Sequence, residues 1–127
     1  MDYANPSEKV AWGMKRISTH VLDTALGKPA AGVSVRLERL EEYGTWAQLG
    51  SAQTDVDGRC AQLLPESDGL RAGRYRLAFE TGNYFAGRGV AGLYPLVEIT
   101  FTVRDGDAHF HVPLLLSPNG YTTYRGS

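Results

Sequence analysis

Apolar side chains alternate with polar ones at a period of two in three stretches of this chain. Val33, Val35 and Leu37 are interleaved with Ser34, Arg36 and Glu38; Tyr75, Leu77 and Phe79 with Arg76, Ala78 and Glu80; Val97, Ile99, Phe101 and Val103 with Glu98, Thr100 and Thr102. Successive strand residues point to opposite faces, so each stretch predicts a strand with one buried side. Turn-forming residues punctuate the intervals, among them Gly27-Lys28-Pro29, Asp57-Gly58, Asp68-Gly69, Asp105-Gly106 and Pro118-Asn119-Gly120. Extending the same reading predicts strands over 16–23, 33–41, 45–52, 59–63, 74–81, 96–104, 108–116 and 120–125, with one short helix near Asn83 to Arg88. The expected fold class is all-β: an eight-stranded sandwich of two four-stranded sheets with one short helix. No internal repeat or low-complexity segment interrupts it.

One of these strands differs from the rest. In His109 to Leu116, the residues Phe110, Val112, Leu114 and Leu116 share one face, and His109, His111, Pro113 and Leu115 share the other. A strand of a sandwich needs one core-facing side. A second face that is apolar and also carries imidazoles points to a subunit interface enclosing a polar site.

Size and charge narrow the picture. The 127 residues suit one domain, read as 16–127, preceded by an N-terminal extension, 1–15. Thirteen Lys and Arg against fourteen Asp and Glu leave no field for drawing in nucleic acid or an anionic membrane. Cys60 is the single cysteine, which excludes an internal disulfide, and no apolar leader or membrane-length apolar run is seen. A cytoplasmic protein with neither nucleic-acid nor membrane partners is expected.

Few residues are left to carry chemistry. In Ser18-Thr19-His20-Val21-Leu22-Asp23, the residues Ile17, Thr19 and Val21 form one face and Ser18, His20 and Leu22 the other, so His20 points away from the core if the first set is buried. His111 also points away from its strand's more apolar face, and the two imidazoles meet if their strands share a sheet. The ordinary alternative for each is a hydrogen-bonded or solvent-facing histidine. His109 and His111, about 6.6 Å apart at strand rise, have a spacing that supports metal ligation. With no Cys, Asp or Glu beside them, no metal site and no cofactor are assigned.

Arg59 follows the turn Thr54-Asp55-Val56-Asp57-Gly58, where an arginine is ordinarily surface charge. The same segment lacks the later acidic ligand of a calcium loop. Cys60 is expected to be a buried, unreactive thiol. The glycines from Gly82 to Gly92 lack the Lys-Ser/Thr of a phosphate-binding loop. Residues Tyr121 to Tyr124 approach the end of the chain, Tyr124-Arg125-Gly126-Ser127, as an aromatic, turn-anchored segment that holds this end in place. That tetrapeptide is read as the true C-terminus.

Four segments in order, Ser18-Thr19-His20-Val21-Leu22-Asp23, Asp57-Gly58-Arg59, His111-Val112-Pro113-Leu114-Leu115 and Ser117-Pro118-Asn119-Gly120-Tyr121 through Tyr124-Arg125-Gly126-Ser127, resemble the 5-hydroxyisourate hydrolase family of transthyretin-related proteins. The resemblance spans about residues 16 to 127. Its closing Tyr-Arg-Gly-Ser separates the hydrolases from transthyretin, the hormone carrier of the same fold; Asn119 departs from the aromatic residue of many relatives.

The resemblance implies a transthyretin-like eight-stranded β-sandwich that assembles into a homotetramer with its sites in a channel between dimers. It implies hydrolysis of 5-hydroxyisourate to 2-oxo-4-hydroxy-4-carboxy-5-ureidoimidazoline in urate breakdown. Carried over position by position, His20, Arg59, His111 and Ser127 become the catalytic residues, with His20, Arg59 and Tyr124 binding substrate and no cofactor required. Ring-opening of a cyclic amide needs a base for water and donors for the oxyanion, roles that two imidazoles and a guanidinium fill. Which group is the base stays open. A carrier without catalysis is the alternative, and it requires an apolar channel. A purely structural sandwich module would leave the tail unconstrained.

Overall fold

A computed structural model describes residues 15–66 and 69–127. The expected extension, 1–15, lies outside the described residues but for Lys15, as does Asp68 of the expected Asp68-Gly69 turn. The eight expected strands all form: β1 (Arg16–Asp23), β3 (Ser34–Leu40), β4 (Trp46–Gln53), β5 (Arg59–Cys60), β6 (Gly73–Phe79), β7 (Val97–Val103), β8 (His109–Ser117) and β9 (Gly120–Thr123). A two-residue strand, β2 (Lys28–Pro29), adds a ninth. It pairs with Leu22 and Asp23 of β1, so the first sheet has five strands, ordered β2-β1-β8-β9 with β5 also on β1. The second sheet has the expected four, ordered β4-β3-β6-β7. The helix α1 spans Thr81–Ala86, two residues earlier than the sequence places it. Its start is fastened where Thr81 Oγ1 donates to the Tyr94 carbonyl at 2.7 Å and the Gly82 N–H donates to the Pro95 carbonyl.

The strand expected over 59–63 stops at Cys60. A side-chain amide takes over beyond it: Gln62 Oε1 accepts the Ile17 and Leu64 N–H groups, and Gln62 Nε2 donates to the Lys15 carbonyl. Backbone pairing returns one residue later, where the Leu63 N–H donates to the Ile17 carbonyl at 2.8 Å, so the edge of β1 is satisfied by both.

The alternating pattern folds as read. Ile17 and Val21 of β1, Val35 and Leu37 of β3, Tyr75, Leu77 and Phe79 of β6, and Leu114 and Leu116 of β8 are shut between the two sheets. At about 2 kcal/mol per large apolar side chain removed from water, this layer dominates the driving force for folding. The outer face of the second sheet is polar and internally paired. Arg36 reaches Glu80 at 2.6 Å, and Arg76 reaches Glu38 at 2.7 Å and Glu98 at 3.6 Å while stacking 4.2 Å from the Trp46 ring centre. Such half-exposed pairs contribute about 1 kcal/mol or less each and act mainly on register.

A buried carboxylate docks the helix. Asp23, fully enclosed at the end of β1, accepts from the Leu26 N–H at 3.0 Å, the Tyr84 hydroxyl at 2.8 Å and the Arg88 guanidinium at 2.9 Å. Burial, and then the bond to Asp23, push the Tyr84 hydroxyl above its ordinary pKa. An isolated charge at this depth is costly, and three donors offset that cost. Asp23→Ala orphans all three donors and is expected to lower unfolding stability by about 3 kcal/mol. Urea denaturation checks this; a loss under about 1 kcal/mol would mean that packing of Phe85 alone holds the helix.

Candidate active site

The chemistry-bearing residues lie on the outer face of the first sheet, and strand register places them there. β1 and β8 run parallel with Ser18 opposite His111 and His20 opposite Pro113. On the other side of β1, β5 runs antiparallel and sets Arg59 opposite His20, while Cys60 falls opposite Thr19 on the core side. Residues directly opposite share a face. Arg59, His20, Ser18 and His111 therefore line one face, over a core layer of Ile17, Thr19 and Val21 that is 0–1% exposed. The two imidazoles that the sequence leaves unplaced relative to each other are brought together by the β1–β8 pairing. The Thr19 hydroxyl pins that pairing by donating to the Val112 carbonyl at 2.6 Å.

Arg59 is aimed by its turn. Asp55 Oδ1 accepts the N–H groups of both Asp57 and Arg59 at 2.9 Å, and the Asp55 N–H donates to the Arg59 carbonyl. Gly58 sits at φ 77°, and its carbonyl accepts the Val21 N–H at 2.7 Å; a Cβ there would lie 2.4 Å from the Val21 oxygen. Only glycine permits that approach. Asp55 is thus committed to backbone donors, the work of a turn. Cys60 is buried, and burial followed by the charge of Asp55 pushes its thiol pKa up, which makes it a poor nucleophile.

The tail reaches the same face by way of a gap in the ladder. β9 pairs with β8 from Ser117 and Gly120 as far as Leu114 and Thr123, two residues short of the strand end expected at 125. In that register the next partner is Pro113, which has no N–H to offer, and its carbonyl accepts the Thr123 hydroxyl at 2.8 Å instead. Tyr124 and Arg125 leave the strand there. Arg125 stacks 4.0 Å from the Phe110 ring centre and donates to the His109 carbonyl. The chain then rejoins in the original register, with the Gly126 N–H donating to the His111 carbonyl at 2.7 Å. A Cβ on Gly126 would lie 2.6 Å from His111 Cδ2, so the tail fits against the imidazole only as glycine.

Ser127 is exposed one residue beyond this bridge. Tyr124 lies elsewhere in the single chain. It is 57% exposed and lines an open groove of about 410 Å³ with Ile99, Phe101, Phe110 and Val112, on the opposite side of β8 from His111. His109 is exposed at the start of β8.

His111 is half-buried on this face. Burial, then the nearby charges of His20 and Arg59, lower its pKa from the ordinary 6.5. Its Nδ1 lies 2.8 Å from Ser18 Oγ, a partner that sequence reading misses. Ser18 is visible in the sequence as sharing a face with His20, but its contact with His111 requires the register of strands 93 residues apart. A neutral imidazole beside a guanidinium on a partly enclosed face is equipped to take a proton from water while the cation holds developing negative charge.

A transthyretin-like sandwich bearing a histidine–arginine face is the class that fold and site define. A family model described as HIUase/Transthyretin family matches residues 17–126, and the chain belongs to that family. It is 50% identical over 112 residues to mouse 5-hydroxyisourate hydrolase, covering 87% of this chain and 94% of the mouse protein. Among solved structures, Klebsiella pneumoniae 5-hydroxyisourate hydrolase superposes with a TM-score of 0.76 at 41% identity, over 89% of this chain and all of that one. Sea bream transthyretin in complex with thyroxine superposes with a TM-score of 0.82 at 30% identity, over 87% and 94%.

The depressed pKa of His111 has a measurable sign. Between the folded value and the ordinary 6.5 the unfolded chain binds more protons than the folded one. Stability is therefore held in full above that range and falls as pH falls through it. In an NMR titration His111 is expected to protonate below the ordinary range, and Arg59→Met is expected to raise its midpoint. An unchanged midpoint in that variant would remove Arg59 from the vicinity of the ring.

Proposed function

We propose that this protein hydrolyses 5-hydroxyisourate to 2-oxo-4-hydroxy-4-carboxy-5-ureidoimidazoline in urate breakdown, with His20, Arg59, His111 and Ser127 as its catalytic residues. The observation that carries this reading is the convergence of Arg59, His20 and a neutral-leaning His111 on one face, closed at one side by the Gly126 bridge. One imidazole takes a proton from water, whose oxygen adds to a carbonyl carbon of the six-membered ring. Arg59, a planar fork of donors, holds the substrate and the oxyanion. The C–N bond of the ring amide then breaks, the nitrogen leaves with a proton as part of the ureido group, and the former carbonyl becomes the carboxylate. Ser127 orients the imidazole or the water.

The working unit is a homotetramer in the cytoplasm. Three features support assembly: the second face of β8, where Leu115 on the same face as His111 remains partly exposed; the edges of β7 and β9, which no further described strand covers; and the groove between those edges, to which Tyr124 contributes. Tyr124 is assigned to substrate contact across the subunit boundary. Among the described residues no helix is long and apolar enough to cross a membrane. A transthyretin-like carrier is the alternative, favoured by the likeness to a thyroxine-bound structure, but a face of two histidines and an arginine is ill suited to a hydrophobic ligand.

The deciding measurement is the absorbance decay of fresh 5-hydroxyisourate, generated by urate oxidase, with and without the protein. Acceleration is expected, and decay at the buffer rate would return the reading to a carrier. His20→Asn and His111→Asn are each expected to fold normally and lower turnover by roughly 10²-fold or more. Wild-type turnover in both would eliminate imidazole acid–base chemistry.

Removing Tyr124 to Ser127 tests the shared site. The truncated chain is expected to keep its sandwich but lose hydrolysis, since water exclusion and one wall of the site are gone. Sedimentation and activity are read on the same sample; a folded, truncated protein with full activity overturns the arrangement.

A further inference from the structure

We propose that Ser18 is a positioning residue for His111: its oxygen accepts the Nδ1–H, which holds the ring in the tautomer whose Nε2 is bare. The kinetic consequence rests on the hydrolase reading; the tautomer itself does not.

The geometry leaves the ring little freedom. Ser18 is half-buried directly opposite His111 in the parallel ladder, so the backbone sets the 2.8 Å contact between Oγ and Nδ1. A serine has one rotatable bond before its oxygen, which makes the contact inexpensive in conformational entropy. The tail packs against the Cδ2 and Cγ side of the ring, where even a methyl group on Gly126 would collide. Among the described residues Nδ1 has a hydrogen-bond partner and Nε2 has none.

The direction of the proton follows from the neighbours. Serine is able to accept or donate, so Ser18 alone permits either tautomer. Arg59 is close enough to disfavour added positive charge on the ring, as is His20 when protonated. A positive field favours a bare ring nitrogen over a protonated one, and with Nδ1 already turned to Ser18 at 2.8 Å, Nε2 is the nitrogen left to present its lone pair. With the proton on Nδ1 and Oγ receiving it, Nε2 is ready to take a proton from water; the reverse arrangement places a donor there and no base. The hydroxyl is engaged with the ring, so its effect is expected on turnover more than on binding.

The test begins with the unmodified protein. In ¹⁵N-resolved NMR at about pH 8, above the ordinary imidazole range, His111 is expected to show a protonated Nδ1 and an unprotonated Nε2. A protonated Nε2 overturns the proposal with no variant needed. Ser18→Ala is expected to give mixed tautomers and to lower kcat by at least about 10-fold, part of what acid–base catalysis supplies, with KM within about twofold. Ser18→Thr, which keeps a hydroxyl, is expected to restore both tautomer and kcat. Wild-type tautomer and kcat in Ser18→Ala overturn the proposal. A wild-type protein that leaves 5-hydroxyisourate untouched defeats the hydrolase reading, while the NMR pattern still decides the role of Ser18.

Discussion

The parallel pairing of β1 with β8 is the constraint on which everything else rests. It is the one parallel ladder among otherwise antiparallel pairs of the described strands, and it runs the full length of β1, from Arg16 opposite His109 to Asp23 opposite Leu116. Strand side chains alternate with a period of two, so a slip of one residue would send His111 into the core and Val112 into water. The core cannot absorb such a slip. Packing of Ile17, Thr19 and Val21 against Phe110, Val112 and Leu114 therefore fixes the polar face as firmly as it fixes the apolar one, and Arg59 joins that face through its own register with His20.

How much of this was legible in the chain depends on whether the information is local. The alternation of Val97 to Val103, the face of β1 that carries His20, and the turn before Arg59 are local properties, and each is read correctly from the sequence. The ends of β5 and β9 are not local. The β5 ladder is interrupted where the Gln62 side chain takes the Ile17 N–H, and β9 stops because Pro113, across the sheet, has no N–H to give. The contact between Ser18 and His111 and the enclosure of Asp23 by Tyr84 and Arg88 likewise join residues far apart in the chain. Nothing near Lys28-Pro29 marks a strand, because two residues are too few to show a period.

Backbone likeness by itself does not separate an enzyme from a carrier. The chain superposes on a thyroxine-bound transthyretin at least as well as on a hydrolase, so the sandwich is neutral between them. The side chains on one face of one sheet are what differ in meaning. A ligand-binding channel is served by apolar walls; Arg59, His20 and His111 with a backbone-anchored tail are suited to moving protons and holding charge.

The sequence separation within that face also bears on how the molecule comes to exist. In the second sheet β3–β4 and β6–β7 are neighbours in the chain and β3–β6 joins residues 36 to 44 apart, from Arg39 with Tyr75 to Val35 with Phe79, all shorter closures than that of β1 with β8. The face that carries the chemistry needs closure across 93 residues between Ser18 and His111 before the β1–β8 ladder forms. Contacts of that span slow folding, because the entropy of closure is spent before the pairing returns it. His20 and Arg59 meet through the shorter β1–β5 pairing, and His111 joins them only when β8 closes on β1. Chemistry in this protein is thus tied to the longest-range pairing among the described strands.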